Sequence, residues 1–385
     1  MKDNSPSVRA LISRSALLNN VKILRNCCQA GHQAGVSICP AVKANAYGHG
    51  VKIVAPVLVH AGVEALAVAH VKEGLELRAL GVTTPVLVFC PPCENHVSEA
   101  FLDADLTATL VELPAARALN TLARKMGKRA RVHVKVDTGM GRMGPEPEQA
   151  LTLLRELRQL PNLDVEGLYT HFPVADEPEG GQFVSEQLKQ FNALIARARI
   201  EGLCPPIIHA ANSAATVAFP ESHFDRVRPG LSVYGYRPGP GMGTELGLQP
   251  ILKILARIVF VKGIPPGATV GYGRTFTAQR PTRLGILPLG YEDGYLRRYS
   301  NCAQVLVETA SNVSTFVPVL GRVSMDQTAI DLTDVPAIAA GDDVTVISNR
   351  PADPNSVESL ARLAHTIPQD VTCALGNRIS RIEVE

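Results

Sequence analysis

The chain of 385 residues carries 38 basic and 36 acidic side chains, with 46% apolar residues and Gly and Pro spread throughout, a mixture that suits two globular domains and excludes long disorder, collagen-like repeats and coiled coil. A net charge of +2, without a basic block interleaved with aromatics, gives no reason to expect nucleic acid or an anionic membrane as a partner, so small molecules are the expected ligands. No apolar run approaches the roughly 18 residues of a bilayer span, and Met1 to Asn20 lacks the apolar core of a secretory signal, which makes the cytoplasm the expected compartment and reduced thiols the expected state of the eight cysteines.

From residue 15 to about 235, strand-like and helix-like segments alternate with short punctuation, the pattern of parallel β/α architecture. Strand-like runs occur near Val36–Val42, Ala65–Ala69, Val86–Phe89, Leu106–Val111, Val132–Val136, Val165–Tyr169, Ile207–Ala211 and Val227–Val233. Between them lie amphipathic stretches such as Val184–Ile200, in which Val184, Leu188, Phe191, Leu194, Ile195 and Ala198 follow helical spacing. Eight such units predict an N-terminal (β/α)8 TIM barrel rather than an open sheet. Composition then shifts to Gly and Pro at Arg237–Gly243, which places a domain boundary near 240. Beyond it the runs Ile251–Val261, Thr269–Phe276, Arg283–Leu289, Gln304–Val307, Thr315–Leu320, Thr328–Leu332, Val344–Ile347 and Arg378–Val384, with one helix at Val357–Ala364, predict a C-terminal mostly-β domain spanning 241–385, on which the first ~12 residues of the chain are expected to pack.

A barrel places its chemistry at the carboxyl ends of its strands. Lys43 follows the first strand-like run, Lys135 and Arg142 flank the end of the fifth, His171 ends the sixth, Asn212 and Ser213 follow the seventh, and Arg228 lies in the eighth. A lone Lys or Arg is ordinarily a solvated charge and a lone His a satisfied core residue, but those readings do not predict convergence on one rim. A lysine among the small residues of Ala41–Gly50 could form a Schiff base, and Ser213 with the amides near Gly230 could cradle a phosphate. Pyridoxal phosphate fits that set, as does a phosphorylated sugar or aldehyde substrate. Two other motifs are weaker. Cys90-Pro91-Pro92-Cys93 has the spacing of a redox dithiol or half a zinc site, yet no second pair follows it, and it reads as a loop; no metal is expected. Gly139–Gly144 is a formal G-x-G-x-x-G with Asp164 twenty positions on, but Arg142, Met143, Pro145 and Pro147 crowd the turn and the following helix start, and it follows the fifth strand rather than the first.

The motifs AVKANAYGHG (Ala41–Gly50), VKVDTGMGRMG (Val134–Gly144), VGYGRTF (Val270–Phe276), LPLGYEDGY (from Leu287) and GRVSMDQ (Gly321–Gln327) together resemble the bacterial alanine racemases, two-domain barrel enzymes that use pyridoxal phosphate, over nearly the whole chain. The resemblance implies an isomerase that interconverts L- and D-alanine, supplies D-alanine for peptidoglycan, and works as a homodimer with shared active sites. It implies Lys43 as the Schiff-base lysine and Tyr272 as the second acid/base, contributed by the other subunit. Tyr47, Ser213, Gly230 and Leu231 would hold the phosphate, with His171 and Asn212 also in the cofactor pocket. Arg228 would face the pyridine nitrogen, and Arg142 the phenolic oxygen and substrate carboxylate. Lys135, carbamylated in some members, would stand beside Arg142; Met325 and Asp326 would approach the carboxylate from the partner; Tyr291 would support the site; and Arg297, Arg322, Asp176 and Ile367 match the family's access corridor. Two acid/base groups on opposite faces of a planar cofactor suffice for racemisation, and an arginine at the pyridine nitrogen keeps that nitrogen unprotonated. A proton-accepting Tyr272 needs a positive neighbour, for which His171, linked to Arg228 in the family, is the candidate. One departure stands out: Gln369 occupies the place of a family tyrosine that touches the phosphate and narrows the pocket. The alternatives are therefore a racemase of the same build with broader, serine or basic amino-acid preference, and a cofactor-binding protein without turnover, against which Tyr272 argues.

Overall fold

The computed structural model describes residues 5–29, 35–94, 98–309 and 313–385. They divide into two compact units: the described residues of Leu17–Ala46 and Val54–Leu248 form one, and those of Met1–Ala16, Tyr47–Ile53 and Gln249–Glu385 the other.

Strand β1 (Val8–Ser13) belongs to the second unit. The first is built on β2 (Ser37–Ile38), β3 (Leu66–Val68), β4 (Val86–Val88), β5 (Thr107–Leu110), β6 (Ala130–Lys135), β7 (Leu163–Tyr169), β8 (Ile207–His209) and β9 (Arg226–Val227), all parallel and hydrogen-bonded in the order β2-β9-β8-β7-β6-β5-β4-β3. The sheet closes on itself where Ala41 bridges Ala67 and the Val42 N–H donates to the Ala67 carbonyl at 2.8 Å. The eight strand-like runs thus are the eight staves of a (β/α)8 barrel. Leu66, Val68, Val86, Leu110, Val132 and Val134 are completely buried, as strands covered on both faces must be. The helix Gly181–Ile200 buries the six apolar positions that its spacing singles out, together with Gln187.

Several strands are shorter than their apolar runs. The first stops at Ile38 because Pro40 has no N–H to give to a ladder, and the eighth stops at Val227, before Pro229 and Gly230 turn the chain into a short 3-10 segment, Leu231–Tyr234. A register shift between Val132 and His133 sets His133 opposite Gly167 on β7, which matters below.

The second unit carries β10 (Leu252–Arg257), β11 (Phe260–Ile264), β12 (Thr269–Val270), β13 (Phe276–Thr277), β14 (Thr282–Leu287), β15 (Gln304–Glu308), β16 (Ser314–Leu320), β17 (Thr328–Asp331), β18 (Asp343–Ile347) and β19 (Ser380–Val384). Nine strands form one sheet, in the order β11-β14-β17-β16-β15-β18-β10-β1-β19. The first strand of the chain lies inside this sheet, antiparallel to β10 (Val8 opposite Ala256) and parallel to β19 (Arg9 opposite Ser380). Strand β10 alternates buried and half-buried positions, the period of two expected of a sheet with one covered face. The helix Val357–Ala364 forms where its pattern places it, capped by Ser356. The single strand expected over Thr269–Phe276 is instead a hairpin of β12 and β13, because Gly271 and Gly273 take φ of +72° and +71° and turn the chain. A second helix, Pro368–Cys373, was not evident from periodicity, being under two turns long. Among the described residues no helix is long and apolar enough to cross a membrane.

Candidate active site

Lys43 opens a five-residue turn, Lys43–Tyr47, at the carboxyl end of the first stave. Ala44, Asn45, Ala46 and Tyr47 all have φ between +53° and +55°, a turn of left-handed helix. Each such residue with a Cβ costs about 1–2 kcal/mol, so the surroundings must enforce it. Glu73 does so from one side: its Oε1 accepts from the Ala44 N–H at 2.6 Å, while Oε2 accepts from the N–H groups of Ala69 and His70 at 2.7 and 3.0 Å. Gly48 closes the turn, and a Cβ there would stand 1.8 Å from the Thr372 carbonyl oxygen. Burial pushes the Tyr47 phenol up to about 12, so it remains a neutral hydroxyl.

Arg228 follows β9 and is 5% exposed. Its Nη1 donates to His209 Nδ1 at 2.7 Å, and its Nη2 donates to the carbonyls of Thr170 (2.8 Å) and Ala210 (3.1 Å). The Tyr169 ring lies under the guanidinium at 5.0 Å and stacks on His209 at 4.7 Å. His171 is a loose neighbour, its Nδ1 3.4 Å from Nη2. Burial, then Arg228 and Arg142, push His171 down to about 3. That shift favours its neutral imidazole form. The tight partner of Arg228 is His209, the last residue of β8 but the middle of the strand-like run Ile207–Ala211, where a search just beyond the run passes over it.

Beside it, Ser213 Oγ accepts from the N–H groups of Gly230 and Ser232 at 2.9 and 3.2 Å, which leaves its own O–H to donate. The Leu231 N–H has no partner among the described residues, and Ser232 Oγ is buried without one. Unused donors converging at a strand end fit a phosphate. Asn212 shapes the Ser213 turn: its Oδ1 caps Ala215 N–H at 3.0 Å and its Nδ2 donates to the Phe172 carbonyl at 3.2 Å.

The segment after β6 is organised by Asp137, which motif reading passed over. Its Oδ1 accepts from the N–H groups of Gly139, Met140 and Gly141 and its Oδ2 from Arg142 N–H, at 2.8–3.2 Å. Partial burial raises this carboxyl, but the backbone donors outweigh it and hold it below its ordinary value. The same contacts dispose of the dinucleotide reading of Gly139–Gly144, because the amides that would receive a pyrophosphate are taken by a carboxylate. Lys135 is 2% exposed and donates to the Met143 carbonyl. Burial pushes it down to about 8, against the opposing pull of Asp137.

The remaining predicted residues belong to the β unit. Tyr272 sits at the tip of the β12–β13 hairpin, 69% exposed. Tyr291 and Met325 are neighbours through the Tyr291 N–H, which donates to the Ser324 carbonyl at 3.0 Å, and both side chains are exposed. Asp326 is ion-paired with Arg378 at 2.8 Å; its carboxylate would repel an anion, whereas the N–H groups of Met325 and Asp326 have no partner among the described residues. Gln369 Oε1 is buried without a hydrogen-bond partner. Cys90 and Cys93 are exposed and free, and no group of His, Cys, Asp and Glu among the described residues could hold a metal ion.

A parallel barrel whose strand ends carry a lysine, a buried arginine and a set of unused hydroxyl and N–H donors defines a barrel enzyme with an anionic cofactor. Residues 12–238 match the alanine racemase N-terminal domain and residues 251–383 the alanine racemase C-terminal domain. The alanine racemase of Symbiobacterium thermophilum is 38% identical over 376 residues, covering 97% of this chain and 96% of that protein. Among solved structures, the alanine racemase of D-cycloserine-producing Streptomyces lavendulae superposes with a TM-score of 0.90 at 32% identity, covering 100% of this chain and 98% of that one. That of Bartonella henselae, with covalently bound pyridoxal phosphate, gives 0.82 at 26% identity, covering 99% and 100%. The chain belongs to the alanine racemase family, pyridoxal-phosphate-dependent isomerases that interconvert the enantiomers of alanine.

Proposed function

We propose that this chain racemises alanine by a two-base route, with Lys43 and Tyr272 exchanging protons on opposite faces of the substrate Cα. The observation that carries the reading is Arg228. A buried guanidinium that cannot accept a proton stands at the strand-end rim, and its hydrogen bonds to the described residues are made by Nη1 and Nη2, so that Nε–H would be available to the cofactor's ring nitrogen. Pyridoxal phosphate, when bound, would supply the electron withdrawal that makes an amino-acid Cα–H acidic enough to exchange. Lys43 would hold it; Ser213 and the amides of Gly230 and Leu231, with the neutral Tyr47 hydroxyl, would hold its phosphate. Arg142, on the Asp137-braced loop, would receive the substrate carboxylate, with Met325 and Asp326 approaching it from a partner subunit. Tyr272 would serve the barrel of a partner subunit, consistent with its exposure at a hairpin tip. A cytoplasmic homodimer that supplies D-alanine for peptidoglycan is the setting we infer.

A second reading, a racemase that also takes serine, is favoured by Gln369, whose buried unpartnered oxygen a substrate hydroxyl could satisfy. Following α-proton exchange by NMR in deuterated water, with pyridoxal phosphate and either L-alanine or L-serine, tests both. Exchange with racemisation of alanine, lost in Lys43→Ala, is expected. Silence with alanine refutes the main reading, and comparable kcat/KM for serine that falls in Gln369→Tyr establishes the second.

A further inference from the structure

The mechanism above uses Arg228 but not the groups buried behind it. His209 Nε2 lies 2.8 Å from His133 Nδ1, and His133 Nε2 faces Glu166 Oε2 at 3.9 Å. Both rings are buried, His209 completely and His133 to 1%. We propose that His133 and Glu166 are positioning residues: with His209 they form a one-way chain across the barrel that fixes the lone pair presented to Arg228, leaving its Nε–H for the cofactor ring. The inference rests on the cofactor reading above.

The direction of the chain follows from proton counting. Guanidinium can only donate, so His209 Nδ1, 2.7 Å from Nη1, must be the unprotonated nitrogen. Burial, then Arg228, hold His209 well below the ordinary imidazole value, so it is neutral and carries its one proton on Nε2. That proton points at His133 Nδ1, which must accept. Burial, followed by Arg226 and Arg228, pushes His133 down to about 3. Its single proton is therefore on Nε2, toward Glu166; at 3.9 Å the contact is electrostatic rather than a hydrogen bond. Every donor points away from Arg228. Each neutral ring then turns the negative end of its dipole to the guanidinium, and the carboxylate closes the series, replacing part of the solvation that burial removed. Arg131, whose Nε is 4.0 Å from Glu166 Oε1, also faces that carboxylate, and Arg226, Asp164 and Asp105 add to the field there.

The fold makes room for this chain. The register shift at Val132/His133 sets His133 against Gly167, where a Cβ would stand 2.3 Å from His133 Nδ1. Any other residue at 167 would displace the ring. Two histidines in a barrel interior that apolar side chains could fill more cheaply call for a reason, and the orientation of Arg228 supplies one.

The test uses the full chain, 15N-labelled at histidine, with and without pyridoxal phosphate. His133 and His209 are expected as neutral Nε2–H tautomers between about pH 6 and 9; a protonated ring, or an Nδ1–H tautomer at either, overturns the proposal. Two variants separate positioning from packing. His133→Asn keeps an acceptor where Nδ1 stood, whereas His133→Leu does not. Kcat should fall about tenfold in the leucine variant and stay within about twofold in the asparagine variant, as expected when the buried His209 Nε2–H loses or keeps its acceptor, with the bound cofactor's absorbance displaced in the leucine variant alone. Equal losses in both overturn the proposal. Should His133→Leu fail to fold, Glu166→Gln, at a half-buried position, replaces it: a shifted His133 resonance with lowered kcat and unchanged KM is expected, and a variant unchanged in both overturns the chain. A wild-type protein that bound no cofactor would sink the cofactor reading, yet leave the tautomer result legible.

Discussion

Asp137 does for its loop what a bound anion does for a glycine-rich turn: it gathers consecutive N–H groups and so fixes where Arg142 starts. Asp137→Asn keeps the shape but removes the charge that draws those donors. KM for alanine is expected to rise about tenfold with kcat changed less than about threefold, measured in steady-state racemisation; a kcat loss at constant KM would place Asp137 elsewhere in the mechanism. Lys135 offers a test by pH. Burial pushes it down to about 8, so above that value the folded chain binds fewer protons than the unfolded one, and its contribution to stability rises with pH from about 8 toward the ordinary lysine range. Thermal unfolding at about pH 7.5 and about pH 9.5 should show the wild type gaining on Lys135→Met; a pH-independent difference between them would mean that Lys135 is not depressed. Lys43 and Ser213 were legible because they follow apolar runs at strand ends, and Arg228 because it is a charge inside the last of them. Glu73, Asp137, His133 and His209 were not, since each owes its role to a partner across strands or to loop amides, and neither leaves a periodic signal in sequence.

At the scale of elements, the left-handed turn Lys43–Tyr47 is the most constrained piece of backbone. Four consecutive positive φ values outside glycine survive only if what brackets them is rigid, and Gly48 is one bracket: the Thr372 carbonyl occupies the space of a Cβ. Gly48→Ala should therefore cost several-fold in affinity for pyridoxal phosphate as well as lowering the melting temperature, read by titrating cofactor absorbance. A variant that binds cofactor normally would show that the turn tolerates movement of its C-terminal end. Strand count and order could be read from the apolar runs, because parallel staves are buried on both faces and read as continuous. Strand length could not: Pro40 and the sequence Arg228-Pro229-Gly230 end ladders inside apolar runs, and Gly271 and Gly273 turn what looks like one strand into two.

For the whole molecule, the proposed exchange of Tyr272 between subunits predicts complementation. Mixing Lys43→Ala with Tyr272→Phe chains under subunit exchange creates hybrid dimers with one intact site each, and about a quarter of wild-type activity should return at equal amounts. No recovery would mean that each chain uses its own tyrosine. Exposed Tyr272, Tyr291 and Met325 are the side chains that such a partner would cover.

The place of β1 inside the last sheet also has a consequence for synthesis. Ala10 and Ile12 are completely buried in the finished protein, yet their strand is flanked by β10 and by β19 (Ser380–Val384), both of which are made long after it. At about 5–20 residues per second, the nascent chain carries an apolar strand with a neighbour missing until β19 has been made, roughly 20–70 s later. During that interval the barrel residues can fold while β1 waits for β19, and a chaperone that shields short apolar strands would find its natural client in β1.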